Sequence, residues 1–225
     1  MTSETREPQY QSLLELRDRQ GLTSLGLATN VSWHDDPKRL AFTFSRYKFA
    51  AKMLSGLNRV LEVGCGDAFC TRIVRQEVPY VMAVDFDPVF IEDVKNRMDP
   101  QWPFECKVHD MLSGPVEGGF EGLYSLDVLE HIRLEDEDRF MSNAVDSLVP
   151  HGVAIIGMPS LESQIYATPR SKAGHVNCKT AAGLKGLMKR HFHNVFIFSM
   201  NDEIVHTGFS PMASYLIALC CDKKK

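Results

Sequence analysis

Two glycines flanked by acidic residues form the strongest chemical signal in this sequence. Glu62 precedes Gly64 and Gly66, and short apolar segments lie on both sides of the turn. Glycine lacks a Cβ, so the chain can bend sharply there and a ligand can lie directly on the backbone. A helix that starts after such a turn points free N–H groups and the positive end of its dipole at the ligand. The pattern predicts a cradle for a nucleotide-like cofactor.

An acid at the end of the next apolar segment suits the ribose of such a cofactor. Asp85 lies 19 residues after Gly66, where a carboxylate can accept both ribose hydroxyls. Phe86 follows directly and can lie against an adenine ring. A dinucleotide-binding enzyme would also need a third glycine at position 69, and Phe69 occupies it. The sequence therefore indicates an adenosine-containing cofactor and disfavours a dinucleotide-dependent oxidoreductase.

Histidines in polar segments are the candidates for catalysis. His131 follows Glu130 after a predicted strand, and His175 and His206 lie in polar connections. Imidazole titrates near neutral pH, which suits a general base that removes a proton from a hydroxyl group. We predict His131 and His175 as catalytic residues, with Tyr166 and His206 as substrate-binding residues.

The same histidines and Glu130 can also be interpreted as a metal site, because imidazole and carboxylate ligate several divalent ions. The sequence contains no helical H-x-x-x-H pattern and no thiolate pair to support one. The six cysteines show no C-x-x-C spacing and are expected to be reduced core thiols. From these patterns we predict no metal site.

Alternating strands and amphipathic helices must position these residues. The predicted strands are 59–63, 80–84, 104–108, 122–126, 153–158, 194–200 and 212–220. The predicted helices are 8–20, 38–54, 68–76, 87–98, 135–148 and one from position 180, with loops at 21–30 and 159–179 and a break at 32–37. In an open α/β sheet, ligands bind at the carboxyl ends of the parallel strands, where the candidates above all fall.

Two motifs resemble those of a known family. The run from Glu62 to Ala68 resembles the E/D-x-G-x-G-x-G motif of class I S-adenosylmethionine (SAM) methyltransferases, with Ala68 in place of the last glycine. The run from Asp127 to His131 resembles the D-V-L-E-H signature of methyltransferases of ubiquinone and menaquinone biosynthesis. The resemblance covers roughly residues 38–221. It implies a Rossmann-like α/β fold: a seven-stranded sheet with helices on both faces and a C-terminal antiparallel hairpin.

The resemblance also implies a cofactor, its site and a division of the chain. Residues 1–55 would form a helical lid on a SAM-binding core at 56–225, within one domain overall. The cofactor would be SAM, leaving as S-adenosylhomocysteine (SAH). Asp110 would contact the adenine amino group, and Arg46 of the lid would meet the carboxylate of the cofactor. The implied cofactor-binding residues are Glu62, Gly64, Cys65, Gly66, Asp85, Phe86, Asp110, Met111, Leu126 and Arg46.

Composition limits the function classes. The 225 residues are 44% hydrophobic, which is ordinary for one globular domain, and the net charge of −4 gives no support for a nucleic-acid partner. No stretch approaches the ~20 apolar residues of a membrane span, and we expect a cytoplasmic enzyme. We predict methyl transfer to a small molecule, as O-methylation of a sugar, nucleotide sugar or secondary metabolite. A protein or RNA methyltransferase, or a SAM-binding regulatory subunit without turnover, remains the alternative, and the oligomeric state is open.

Overall fold

A computed structural model describes residues 4–224, so the first three residues of the predicted lid and Lys225 lie outside the described residues. The strands, in chain order, are β1 (Arg59–Val63), β2 (Tyr80–Asp85), β3 (Glu105–Val108), β4 (Phe120–Leu126), β5 (Leu148–Pro159), β6 (Phe192–Asn201), β7 (Ile204–His206) and β8 (Tyr215–Lys223). They form one sheet in the order β3-β2-β1-β4-β5-β8-β6-β7.

Eight α-helices accompany the sheet within residues 4–224. They are α1 (Gln11–Gln20), α2 (Leu27–Asp35), α3 (Lys38–Met53), α4 (Thr71–Arg75), α5 (Pro88–Asn96), α6 (Glu137–Asp146), α7 (Pro169–Gly174) and α8 (Ala181–His191). Short 3-10 helices occupy Pro8–Tyr10, Leu129–His131, Glu162–Tyr166 and Ser210–Met212. Across this part of the chain, no helix combines the length and apolar character needed to cross a bilayer.

Strand directions confirm the α/β class. Strands β1 to β5 are parallel, and β8 inserts antiparallel between β5 and β6. Strand β6 therefore runs in the same direction as β5, and its outgoing connection opens at the carboxyl edge, as expected. All seven predicted strands are present. The eighth, β7, pairs with β6 at the sheet edge, where the sequence predicts only a connection because three residues are too few to show an alternating pattern.

Apolar side chains on both faces of the sheet form the core. In β1, Val60 and Leu61 are fully buried and pack into clusters on opposite faces. Near-continuous burial of this kind is typical of a parallel strand that helices cover on both sides. Strand β1 is therefore packed on both faces, and the glycine turn begins at the end of a rigid strand.

The N-terminal segment differs most from the predicted pattern. The loop predicted at 21–30 is present only at 21–26, and the break predicted at 32–37 only at 36–37, because α2 occupies Leu27–Asp35. Only Thr29 of this helix is buried. Its backbone N–H donates to Asp67 Oδ2 at 2.7 Å, and its hydroxyl donates to Asp67 Oδ1 at 3.2 Å. An acid in the glycine turn thus holds the first turn of α2, a long-range contact that local periodicity cannot reveal.

The segment at 159–179, predicted as a loop, contains a 3-10 helix and α7. Helix α7 starts at Pro169, and the Thr168 hydroxyl caps it by accepting a hydrogen bond from the Ser171 N–H. The helix predicted at 68–76 is shorter than expected, since α4 spans only Thr71–Arg75. Ala68 explains this, because its φ of 49° is left-handed and interrupts the helical path.

The left-handed Ala68 allows a stability prediction. An L-residue in this conformation costs about 1–2 kcal/mol relative to glycine. In Ala68→Gly the relief of this strain is offset in part by the greater backbone entropy of glycine in the unfolded chain and by the loss of a buried methyl group. We expect Ala68→Gly to leave the free energy of unfolding unchanged or raise it by up to about 1 kcal/mol. The control is Ala182→Gly at an exposed position of α8, which should cost about 1 kcal/mol. Urea unfolding checks both, and equal losses in the two variants would contradict the strain at Ala68.

Candidate functional site

The candidate residues gather at the carboxyl edge of the parallel strands. Strand β1 lies between β2 and β4, so the chain leaves β1 toward one side of the sheet and later returns on the other. Such a topological switch point opens a crevice at the strand ends. Gly64 follows β1, Asp85 ends β2 and Asp127 follows β4. The sheet therefore delivers the predicted cofactor residues and the D-V-L-E-H segment to neighbouring positions.

The two glycines of the turn have different roles. Gly64 has a φ of 74°, and a Cβ there would lie 2.3 Å from Cγ2 of Val128. Gly66 also has a left-handed φ, of 52°, but a Cβ there would meet nothing within 4 Å. Gly64 thus permits close packing of the turn against the segment after β4. Gly66 keeps the backbone open toward the crevice, as a ligand lying on the turn requires.

Asp85 organises the turn from the end of β2. Its Oδ2 accepts a hydrogen bond from the Gly66 N–H at 2.8 Å, and its Oδ1 accepts one from the Asp87 N–H at 3.0 Å. A carboxylate offers about four lone-pair directions, so both oxygens retain capacity for two hydroxyl donors. The side chain of Phe86, 72% exposed, stands beside it at the mouth of the crevice. This arrangement suits a ribose and an adjoining aromatic base.

The remaining cofactor positions line the same edge at different depths. Asp110 is exposed after β3, and its Oδ1 accepts from the Leu112 N–H at 2.8 Å. Met111, Leu126 and Cys65 are buried. Burial raises the pKa of the Cys65 thiol, so this cysteine is a neutral apolar wall. Direct contact of these side chains with a cofactor stays a prediction.

Glu62 lies beneath the turn and is held by hydroxyl groups. Tyr47 of α3 donates to Oε1 at 2.7 Å, Tyr124 of β4 donates to Oε2 at 2.7 Å, and Thr71 of α4 also donates to Oε2. Burial raises the pKa of Glu62 to about 7, although these three hydrogen bonds act to lower it. Glu62 therefore joins the lid helix, the sheet and the helix after the turn.

The raised pKa of Glu62 predicts a pH-dependent stability. A carboxyl group with a folded-state pKa near 7 favours folding fully below its unfolded pKa, near 4.5, and loses that contribution as pH rises through 7. Glutamine at position 62 has no such titration. The destabilisation of Glu62→Gln relative to wild type should therefore be about 2–3 kcal/mol smaller at pH 8 than at pH 5. Urea unfolding at both values measures the difference. The exposed Glu15→Gln should follow wild type at both pH values, and a Glu62→Gln difference independent of pH would contradict the prediction.

Arg46 of α3 lies at the site but is already paired. Its Nη1 contacts Asp127 Oδ1 at 2.9 Å and Oδ2 at 2.7 Å, and its guanidinium carbon lies 3.8 Å from the centroid of the Tyr215 ring. Burial alone would lower the pKa of Arg46, but Asp127 reverses this and the net pKa is raised. The structure thus shows Arg46 fixing the start of the D-V-L-E-H segment. Contact with a cofactor carboxylate remains a prediction.

The predicted catalytic histidines come together. The rings of His131 and His175 meet edge to face with centroids 5.3 Å apart, although the two residues lie 44 positions apart in the sequence. Glu130 joins them: its Oε1 lies 4.0 Å from His131 Nε2. The backbone supports this contact, because the Glu130 carbonyl accepts from the N–H groups of Val176 at 2.8 Å and Asn177 at 3.0 Å.

Hydrogen bonds orient both imidazole rings. His131 Nδ1 lies 2.8 Å from the Gly174 carbonyl oxygen, and His175 Nδ1 lies 2.8 Å from Gln164 Oε1. The Gln164 amide nitrogen donates to the Ser160 carbonyl at 3.0 Å, which fixes the orientation of that amide. Both partners of the rings are acceptors, so in the neutral form of each ring Nδ1 carries the proton and Nε2 keeps its lone pair.

Glu130 is buried at this site with one carboxyl oxygen that lacks a hydrogen-bond partner among the described residues. Its side chain is 1% exposed, and the oxygen without a partner there is Oε2. Burial, followed by the charge of Asp127, raises the pKa of Glu130 to about 9. His175 has a lowered pKa because of its burial and the neighbouring His131. A carboxyl group and two imidazole lone pairs are thus concentrated beside the cofactor crevice.

The two predicted substrate-binding residues, whose role stays a prediction, differ in their position relative to this cluster. His206 sits on edge strand β7, separated from β5 by β8 and β6. Its ring nitrogens contact Asn201 Oδ1 at 2.9 Å and the Gly208 N–H at 2.9 Å, within its own hairpin. Tyr166 is 85% exposed and ends the 3-10 helix whose Gln164 contacts His175. Sequence reasoning missed Gln164, for which no local signal exists.

Comparisons with known proteins agree with this arrangement. A family model described as a methyltransferase domain matches residues 60–152. An uncharacterized methyltransferase of Mycobacterium bovis is 27% identical over 137 residues, which cover 60% of this chain and 64% of that protein. The matched part therefore spans less than two thirds of the curated relatives.

Solved structures match more of the chain. The N-methyltransferase NodS from Bradyrhizobium japonicum, in complex with SAH, covers 95% of this chain and 97% of its own, with a TM-score of 0.62 and 17% identity. The methyltransferase domain of a bacterial Hen1 protein, CtHen1-C, covers 80% of this chain and 98% of its own, with a TM-score of 0.66 and 12% identity. At these identities the matches show the class I methyltransferase fold. The narrower likeness to ubiquinone and menaquinone enzymes has no support among them.

Proposed function

We propose that this chain, which has the class I methyltransferase fold and a methyltransferase domain at residues 60–152, is a SAM-dependent enzyme that methylates a hydroxyl group of a small molecule. One observation carries the proposal. The open backbone at Gly66, with Asp85 beneath it, lies at the same sheet edge as the oriented imidazoles of His131 and His175. A donor site and a group able to handle an acceptor proton are therefore neighbours.

The cofactor follows from the turn. In this proposal SAM lies across the carboxyl ends of β1 and β2, with its ribose on Asp85 and its adenine between Phe86 and Met111. The amino-acid end extends over Gly64 and Gly66 toward β4. Left-handed glycines, an acid already aimed at the turn and an exposed aromatic ring support this placement.

The reaction is an in-line displacement at the methyl carbon of the sulfonium. The acceptor oxygen forms a bond to that carbon while the carbon–sulfur bond breaks. The electron pair of the broken carbon–sulfur bond stays on the sulfur, which gives SAH. The hydroxyl proton passes to the Nε2 lone pair of His131 or His175 and then to water. Alignment of donor and acceptor supplies much of the rate, and proton removal contributes a further factor of about 10² to 10⁴.

The N-terminal segment supports a small acceptor. Helix α2 is anchored on Asp67 of the glycine turn, and α3 is anchored on Glu62 and Asp127. These contacts hold the predicted lid against the cofactor crevice and favour an acceptor small enough to enter beneath it. The net charge of −4 also argues against an RNA acceptor.

Two other functions predict different outcomes for one experiment. Solved relatives in fold include a small RNA methyltransferase, HEN1, so RNA is tested alongside metabolites, and protein is tested as the other macromolecular acceptor. The experiment supplies methyl-labelled SAM with pools of sugars, nucleotide sugars and other metabolites, then small RNA, then protein. We expect label in a hydroxylated metabolite. Label only in RNA or protein, or SAH affinity without any transfer, would replace the proposal with the corresponding alternative.

A further inference from the structure

The cluster of Glu130, His131 and His175 has the composition of a metal site. One ligand atom from each residue lies within 4.8 Å of the other two. The sequence predicted no metal because these residues have no recognisable ligand spacing. The fold creates the cluster by joining the 3-10 helix after β4 to the end of α7.

The orientation of the rings, which suits proton transfer, also suits a metal ion. Both Nε2 atoms keep lone pairs, because each Nδ1 donates to a fixed oxygen. Histidine ligands of metals show this pattern: one ring nitrogen binds the ion, and the other donates to a carbonyl or carboxylate.

Glu130 provides the independent observation. Its carboxyl group is 1% exposed, and Oε2 has no partner within residues 4–224. An unpaired buried acid is costly, and a cation between the carboxylate and the two imidazoles would remove that cost. Asp127, three residues earlier, does not have this property because Arg46 neutralises it through two contacts.

We propose that Glu130, His131 and His175 bind one divalent transition-metal ion, which holds the acceptor oxygen during methyl transfer. The part concerning the acceptor rests on the proposed function, whereas the metal site itself does not. Two imidazoles and a carboxylate suit ions such as Mn²⁺, Co²⁺ and Zn²⁺ better than Mg²⁺. Three protein ligands leave at least one coordination position open for a water or a substrate oxygen.

Side-chain rotations of up to about 1.4 Å at the ligand atoms would close the site around an ion, because these atoms now lie within 4.8 Å of one another. Metal–ligand bonds of about 2.1 Å bring tetrahedral ligand atoms to about 3.4 Å from one another. The Glu130 Oε1 to His131 Nε2 distance is 4.0 Å. The His131 side chain is half exposed, which leaves its ring room to turn toward Glu130.

The ion would change how the acceptor loses its proton. A hydroxyl group bound to a divalent ion has a much lower pKa than in water, so it releases its proton to solvent and remains as a metal-bound alkoxide. The alkoxide oxygen then bonds to the methyl carbon as the carbon–sulfur bond breaks, giving the methyl ether and SAH. His131 and His175 would then act as ligands of the ion and would not accept the proton.

Titration of the chelator-treated full-length protein with Mn²⁺ tests the site. Electron paramagnetic resonance follows free Mn²⁺, and thiols compete weakly for this ion. We expect one bound Mn²⁺ per chain in wild type and in the control variant His151→Gln, whose histidine is exposed on β5. Glu130→Gln, His131→Gln and His175→Gln should each bind about 10-fold more weakly or worse.

Glu130→Gln guards the test against loss of folding. The substitution removes a buried acid and keeps the backbone carbonyl that receives Val176 and Asn177, so this variant should unfold at the wild-type temperature or above. A wild-type protein that binds no Mn²⁺ at millimolar concentration, or a folded Glu130→Gln that binds it as wild type does, would overturn the metal site. SAH affinity of the metal-free wild type is measured in parallel. If the metal-free protein binds SAH but the metal test fails, only the metal site is overturned. If it does not bind SAH, the proposed function is overturned as well.

Discussion

Replacing Asp85 by Asn should weaken SAH binding by about 10- to 100-fold, which corresponds to about 1.5–3 kcal/mol. Both Asp85 oxygens accept backbone hydrogen bonds, from Gly66 and Asp87, and in the proposed complex they also accept the ribose hydroxyls. An amide has one acceptor oxygen, so it must turn an NH₂ group toward either the turn or the ribose. Hydrogen bonds to a charged acceptor are the stronger ones, so their loss falls mainly on cofactor binding.

A neighbouring acid provides the matched control for this result. Asp87 lies two residues later, and its Oδ1 caps α5 by accepting from the Val89 N–H at 2.9 Å. Asparagine caps helices about as well as aspartate, so Asp87→Asn should keep both the fold and the SAH affinity. Calorimetry with SAH measures both variants. Equal affinities for Asp85→Asn and wild type would exclude Asp85 as the ribose acceptor.

Replacing His131 or His175 by Gln should lower methyl transfer by about 10² to 10⁴-fold while SAH affinity changes little. Both imidazoles lie beyond the cofactor turn, at the ends of β4 and α7, where the acceptor oxygen would sit. The loss is expected whether each ring accepts a proton or holds a metal. Single-turnover rates with the acceptor found in the labelled-SAM experiment give the chemical step directly.

Two controls separate this result from a general loss of structure. His151→Gln changes an exposed histidine of β5 and should retain the wild-type rate. SAH affinity and the unfolding temperature of each cluster variant show whether the cofactor site survives. Wild-type rates in both His131→Gln and His175→Gln would remove the cluster from the chemistry.

The parts of the site that could be predicted from the sequence are those that local chain geometry determines. A strand, a glycine turn and an acid at the next strand end occur in order along the chain, and parallel pairing necessarily brings them to one edge. His131 was recognisable for the same reason, since it follows β4 directly. The left-handed Ala68 even occupies the position at which the family motif has glycine.

The parts that could not be predicted depend on contacts between distant segments. Helix α2 has a weak apolar stripe, and its start is held by Asp67, far along the chain. For Glu62 we predict a role at the amino-acid end of the cofactor or at its binding loop, but the three protein hydroxyls that hold it come from three different elements that the sequence does not identify. Gln164 orients His175 from a segment that gave only polar composition as a signal. Neither periodicity nor spacing encodes such pairings.

Calorimetric titration of the wild-type protein with SAM, and separately with NAD⁺, tests the central claim most directly. The open turn at Gly66, with Asp85 below it and Phe69 where a dinucleotide site needs glycine, predicts saturable binding of one SAM per chain and no measurable binding of NAD⁺. Binding of NAD⁺ without SAM would contradict the account.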